Sequence, residues 1–317
     1  MSYHFLRKKR RWGFILILIF LLIRLFYGIV ISYDGLTVTE YTMRSEKIST
    51  AIDVAVISDL HGHKFGKNNR RLVETLVSLS PDVLLMAGDM VDAESKDERT
   101  LLSLVRSLRK EGILVYYAYG NQELEWEEVH GRERLKKKLE TAGIKVLNLN
   151  WEETEIRRNL IRIGGINEYA FALDGENSTK KERMNRSVYD FLSTFQETKN
   201  FTCMISHMPE NFILGDAIRT WKIDLVVSGH DHGGQVVIPG IGGVYGGDQG
   251  WFPKYVKGYF SFPTLNMAIT SGLGSGKEKI PRYNNTPEIM VIHIKHGKES
   301  KREKQNEESK EASHLDS

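Results

Sequence analysis

From residue 51 onward the chain alternates short apolar runs with stretches of helical period. The run 52–58 is rich in β-branched residues, while 68–79 repeats Leu72, Val73, Leu76 and Leu79 at the spacing of one helix face. Apolar runs at 82–88 and 113–120 predict buried strands on either side of an amphipathic helix over 98–110. A Glu- and Lys-rich helix follows over about 125–141, then a strand over 145–150. Strands this apolar, separated by helices, predict an α/β domain whose parallel strands are covered on both faces. The rhythm then changes. Residues 154–166 predict a hairpin turning at Arg158–Asn159, and 167–184 a polar excursion loop. Further strands are predicted within 201–209, 224–232, 265–274 and 288–295, so the second half supplies a second sheet packed on the first.

The ends behave differently. Residues 7–12 (RKKRRW) form a cationic block, and 13–32 an apolar run long enough to cross a bilayer as a helix. A buried core helix and a cleaved signal peptide are the competing readings. The run exceeds a typical signal core, and VISYDG at 30–35 fits a small-x-small cleavage site poorly. A retained transmembrane signal anchor is therefore expected, with Arg24 snorkelling or facing a partner. The positive-inside rule puts residues 1–12 in the cytoplasm and everything after about residue 33 outside it. The expectation is a single-pass cell-membrane protein with an extracytoplasmic domain. The expected divisions are a basic segment (1–12), an anchor (13–32), a linker with the first strand (33–50), a folded domain (51–295) and a charged tail (296–317). The tail has almost no apolar residue and is expected to be disordered.

Composition adds little. The chain of 317 residues is 41% hydrophobic and 27% charged, ordinary for a globular protein. A formal net charge of +3 gives no reason to expect a nucleic-acid partner. Cys203 is the single cysteine, which excludes an intrachain disulfide framework and any multi-cysteine zinc site.

Chemistry collects at the strand ends, where α/β sheets carry their sites. Asp59 and His61 follow the first predicted strand, Asp89 and Asp92 the second, and Asn121 the third. His207 and the pair His230 and His232 follow later ones. Each alone reads as a turn or loop residue. Together they are too many coincidences to be turns, and carboxylate, amide and imidazole ligands suit divalent manganese, iron or zinc. Seven ligands fit two ions, and a shared carboxylate would hold them about 3.5–4 Å apart, the separation used for phosphoester hydrolysis.

The series DLH (59–61), GDMVD (88–92), GNQE (120–123), SH (206–207) and GHDH (229–232) resembles the calcineurin-like metallophosphoesterase superfamily over about residues 52 to 293. GHDHGGQ followed by FPKY (252–255) is similar to its membrane-anchored bacterial branch, in which the first motif is GHTHGGQ. The resemblance implies a four-layer α/β/β/α sandwich of two mixed sheets with two divalent metal ions at its edge. Asp59, His61 and His232 would bind the first ion, Asn121, His207 and His230 the second, and Asp89 both. Asp92 would orient a ligand by hydrogen bond. The implied catalytic set is Asp59, Asp89, Asn121, Gln122 and His207, with a hydroxide bridging the two ions attacking phosphorus.

Gln122 departs from the family, which has histidine there as an acid for the leaving group. Glutamine donates hydrogen bonds but is no acid at neutral pH, so catalysis is expected to be impaired by about 10²–10⁴-fold or confined to good leaving groups. His63 is a second candidate donor, its other reading being a solvated loop histidine. The aromatic and basic segment 245–260 reads either as a lid meeting lipid headgroups or as cover for the core. With the anchor, a phospholipid or cell-envelope phosphomonoester or phosphodiester is the expected substrate class. Two alternatives stay open: a metal-binding pseudoenzyme that recognises phosphorylated envelope components without efficient turnover, and an intracellular nuclease of the same superfamily.

Overall fold

A computed structural model describes residues 2–95, 98–276 and 280–298, with side chains from Trp12 onward. The charged tail expected over 296–317 lies almost entirely outside the described residues. The chain opens with helix α1 (Ser2–Asp34) and passes into strand β1 (Thr37–Ser45). Then come β2 (Ile52–Ile57), α2 (Arg70–Leu79), β3 (Val83–Ala87), α3 (Arg99–Lys110) and β4 (Val115–Ala118). Helices α4 (Asn121–His130) and α5 (Arg134–Thr141) lead to β5 (Lys145–Val146). The second half holds β6 (Asn150–Ile156), β7 (Asn159–Ile166), α6 (Arg186–Phe195), β8 (Phe201–Ser206), α7 (Glu210–Ile213), α8 (Ala217–Thr220) and β9 (Ile223–Ser228). Two small hairpins follow, β10 (Val237–Ile238) with β11 (Gly242–Gly243), and β12 (Tyr245–Gly246) with β13 (Gly250–Trp251). Strands β14 (Gly258–Ser261), β15 (Leu265–Ile269) and β16 (Glu288–His296) close the domain.

Two six-stranded mixed sheets result, in the orders β1-β16-β2-β3-β4-β5 and β14-β15-β9-β8-β7-β6. Alternation along the strands explains the layering. In β2, Val54 and Val56 face a core shared with Phe201, Leu225 and Val227 of the other sheet, while Ala55 and Ile57 face helices α2 and α3. The second sheet packs its outer face against Val188, Phe191 and Phe195 of α6. The layers are thus α/β/β/α, and the parallel strands β2, β3, β4 and β7, β8, β9 end at one edge.

Three local predictions change. The single helix over 125–141 is two helices, broken where Gly131 (φ 109°) and Glu133 (φ 57°) leave helical backbone. The strand over 145–150 stops at Val146 because Leu149 (φ 51°) turns the chain from the first sheet into the second. The hairpin turns at Arg157–Arg158, one residue earlier than predicted, with both residues at positive φ as a two-residue turn requires. Asn159 is instead a pairing residue opposite Ile156, and its amide has another task. Its Oδ1 accepts from the backbone N–H of Ser49 (2.7 Å) and Thr50 (3.3 Å), and its Nδ2 donates to the Thr50 carbonyl (2.9 Å). This buried amide ties the hairpin of one sheet to the entry loop of the other.

Asn159→Leu strands those N–H and C=O groups in the interior. It should cost about 2–4 kcal/mol, read as a lower urea midpoint with unchanged slope.

Candidate metal centre

Every predicted ligand lies at the shared strand edge. Asp59 and His61 follow β2, Asp89 follows β3, Asn121 opens α4, His207 follows β8, and His230 and His232 follow β9. The structure gathers Asp59, His61 and His232 into one group and Asp89, His207 and His230 into another, each with potential ligand atoms within 4.8 Å of one another. Asp89 joins them: its Oδ2 lies 3.8 Å from His61 Nε2 and 3.1 Å from His207 Nε2. Asp59 Oδ1 sits 3.9 Å from Nε2 of each of His61, His207 and His232.

Positioning bonds aim these rings. His207 donates from Nδ1 to the Ala87 carbonyl (2.7 Å) and His232 from Nδ1 to the Gly274 carbonyl (3.2 Å), leaving each Nε2 towards the carboxylates. His61 Nδ1 meets Asp92 Oδ1 at 2.9 Å. Arg282, fully buried, donates to the same Gly274 carbonyl (2.8 Å) that holds His232. The loops are also strained. Asp59, His61, Asp89, His230 and His232 all have φ between 47° and 73°, a region non-glycine residues avoid and functional sites tolerate. Glycine is required where backbone passes close: a Cβ at Gly120 would lie 2.2 Å from Asp89 Oδ1.

The donor set fits cations on three observations. His61 Nε2 and Asn121 Oδ1 are buried with no hydrogen-bond partner. Burial alone would lower the pKa of His61 and His207, but the surrounding carboxylates, Asp92 first for His61 and Asp89 first for His207, raise them to about 9 and about 10. Protons thus occupy the place that metal charge would take. Burial pushes His232 down to about 3 and His230 in the same direction, so both are neutral and ready as ligands. Burial opposes the charge on Asp89, yet His207 and His61 hold its carboxyl well below the usual range.

Other candidates land differently. Gln122 Oε1 accepts from the Ala93 backbone (2.9 Å), and its own N–H donates to Asp89 Oδ1 (3.0 Å). His63 sets its ring edge-on against Phe65 and, with its pKa lowered by burial, faces the end of α1 at Tyr33. In the segment 245–260, Tyr259 and Phe260 join the cores while Trp251 and Phe252 are 65% and 60% exposed. The loop over 167–184 walls a cavity of about 470 Å³ beside Asn121, lined by Leu124, Phe171, Leu173, Arg183 and Met208.

Sequence reasoning missed Glu123. Fully buried, it accepts from the backbone N–H of Asp89 (2.8 Å), Met90 (2.7 Å), Val91 (3.1 Å) and Gly120 (2.8 Å). The available signal was its place three residues after Gly120 at a helix start, where a glutamate reaches back to cap. Glu210, Asp231 and Gln249 were also missed: Gln249 Nε2 donates to Glu210 Oε1 (2.9 Å) and Asp231 Oδ2 (2.6 Å) behind His230.

The family profile described as calcineurin-like phosphoesterase matches residues 52–234. A Caenorhabditis elegans protein named as a metallophosphoesterase is 27% identical over 73% of this chain, which spans about half (48%) of that relative's length. An uncharacterised metallophosphoesterase of Aquifex aeolicus is 26% identical over 82% of this chain and 92% of its own. Among solved structures, TT1561 of Thermus thermophilus aligns over 71% of this chain and 90% of its own, with a TM-score of 0.41 and 12% identity.

The protonated pair sets a pH dependence. A histidine whose folded pKa is raised stabilises the fold below its unfolded value of about 6.5 and loses that contribution as pH rises through the folded one. Metal-free protein should therefore lose melting temperature between about pH 7 and pH 10, whereas protein saturated with manganese should hold it. Loading manganese near neutral pH should release the His61 and His207 protons, measured by calorimetry in buffers of different ionisation enthalpy.

Proposed function

We propose that this chain, which belongs to the calcineurin-like phosphoesterase family, is a membrane-anchored hydrolase acting on a phosphoester that carries an apolar group. The observation that carries the reading is the pair of imidazole–carboxylate groups joined through Asp89 at the edge shared by both sheets. Asp59, His61 and His232 would hold one divalent ion and Asn121, His207 and His230 the other, with Asp89 between the two groups. Once bound, the ions supply Lewis-acid activation of water and stabilise charge on the phosphate.

The chain's own residues account for the rest. Asp92, the Ala87 carbonyl and the Gly274 carbonyl keep the imidazoles of His61, His207 and His232 in register. Gln122 has its amide oxygen committed to Ala93, which leaves its NH₂ to donate to a phosphate oxygen. It has no acid proton to give to an alkoxide leaving group. Cys203 is no competing nucleophile: it is buried in β8 and burial raises its thiol pKa.

Substrate class rests on three features. Residues Trp12–Asp34 form a helix long and apolar enough to cross a membrane, with 6% of its most apolar window buried by the protein. The cavity beside Asn121 is walled by Leu124, Phe171, Leu173 and Met208, with Arg183 for a second polar group. Trp251 and Phe252 stand exposed on the segment whose Gly247 passes close to His230. A lipid or cell-envelope phosphoester suits all three, in a protein whose basic residues 7–12 are cytoplasmic and whose domain is extracytoplasmic.

The test uses the full chain in detergent with manganese, iron or zinc. Asp89→Asn should lower hydrolysis of bis-p-nitrophenyl phosphate by at least about 10²-fold. Gln122→His should raise the rate on an alkyl phosphoester by about 10²-fold and do little for p-nitrophenyl esters. If wild type and Gln122→His bind metal yet turn over neither ester class, the site recognises phosphoesters without hydrolysing them.

A further inference from the structure

Helix α1 is not a free tether. Its last three turns are docked on the segment 283–286 through small residues. Tyr283 packs on Gly28, where a Cβ would meet the ring at 2.5 Å, and its hydroxyl donates to the Arg24 carbonyl (3.5 Å). The Asn284 backbone donates to the Gly28 carbonyl (3.2 Å) and that of Asn285 to Ser32 Oγ (3.1 Å).

Lengths make this consequential. Arg24 precedes Asp34 by ten residues, about 15 Å of helix. Twelve residues separate Trp12 from Arg24, about 18 Å, against a hydrocarbon core of about 30 Å. A domain held clear of the lipid would leave the helix too short to span. The alternative, drawing the cationic run Arg7–Arg11 into hydrocarbon, is far costlier than immersing an apolar rim.

The rim beside the docked helix is apolar. Val236 bridges to Tyr283, Val237 donates to its carbonyl (3.0 Å), and Asn284 Nδ2 donates to the Val237 carbonyl (3.1 Å). From there β10 and β11 run out to a turn, Ile238-Pro239-Gly240-Ile241, closed by the Ile241 N–H on the Ile238 carbonyl (3.0 Å) with Gly240 at φ 76°. Turn tips are ordinarily polar, yet Ile241 is 61% exposed and no charged residue occurs from Gly233 to Gly247. The next layer continues it: Phe252 donates to the Val244 carbonyl (2.8 Å), and Trp251 stacks edge-on against Tyr245.

We infer that the Ile238–Ile241 turn, with Trp251 and Phe252, is a second membrane contact that enters the outer interface of the same bilayer α1 crosses. Depths of about 5–10 Å are usual for such elements and recover most of the roughly 12 Å by which the span falls short. The inference rests on the anchor reading. It adds that the loop carrying His232 is tied to this rim, since Asn285 Nδ2 donates to the His232 (2.6 Å) and Gln235 (3.2 Å) carbonyls.

Cys203 is buried, so single exposed cysteines can be labelled selectively. Full-length Ile241→Cys, Trp251→Cys, Leu21→Cys and Val129→Cys proteins are coupled to an environment-sensitive NBD fluorophore and reconstituted in phosphatidylcholine vesicles. Lipids brominated high on the acyl chain serve as quencher. The expected result is blue-shifted emission, losing most of its intensity to bromine, at Ile241 and Trp251 as at Leu21, with Val129 unshifted and unquenched. Quenching at Leu21 with Ile241 and Trp251 matching Val129 overturns the inference and leaves the anchor standing. No quenching at Leu21 removes the anchor and the inference with it.

Discussion

The centre of this molecule depends on keeping the carboxylates of Asp59 and Asp89 out of water, at 0% and 3% exposure. Removing a carboxylate from solvent costs several kcal/mol unless donors and opposite charge replace the lost hydration. Here they come from every direction. Ser58 Oγ and the His230 backbone donate to Asp59, the Gln122 backbone donates to Asp89, and His61 and His207 face both. Because those donors belong to loops after four different strands, the strand ends must converge within a few ångströms. Parallel strands in two facing sheets deliver that convergence, and hairpins alone would not.

Convergence is bought with backbone strain, about 1–3 kcal/mol for each residue held in a sparsely populated region. Five of the seven candidate ligands are in that state. Something must over-determine the loops, and Glu123 is the clearest example. Its four N–H contacts join the turn after β3 to the start of α4, so Asp89 and Asn121 are fixed by one buried side chain. Asn285 and Arg282 do the same for the His232 loop. The centre is therefore a rigid receptor built in advance of its ligand, as a site stabilising developing charge needs to be.

Most strands and the whole candidate ligand series were legible because both rest on local pattern. Apolar runs end where the sheet ends, and metal-capable residues stand directly after them. What was not legible depends on partners distant in sequence. The strand over 145–150 looked continuous, since nothing in it announces that Leu149 turns into another sheet. Arg157 and Arg158 form the hairpin turn although neither favours positive φ, because Asn159 is claimed by Ser49 and Thr50. Glu123 reads as one acidic residue among several, and its role follows only from the backbone amides brought to it. Gln122 was legible as a departure from the motif but not as a bridge: its amide oxygen holds Ala93, next to the Asp92 that orients His61. A histidine there would restore an acid and give up that brace.

The docked helix α1 extends the same logic to the start of the chain. Gly28 and Ser32 lie four residues apart on one helix face, and their partners are backbone groups of Asn284 and Asn285 rather than long side chains with slack. Helical residues step by about 100°, so rotation of α1 by a single position would carry Ser32 out of reach. Asn285 would lose one of its restraints while still holding the carbonyls of His232 and Gln235. The helix and the His232 loop thus meet at Asn285, through Ser32 Oγ on one side and the His232 carbonyl on the other. A flexible linker would let the domain sample the surface in any attitude. This connection instead presents one edge of the sandwich to whatever lies at the level of the helix end.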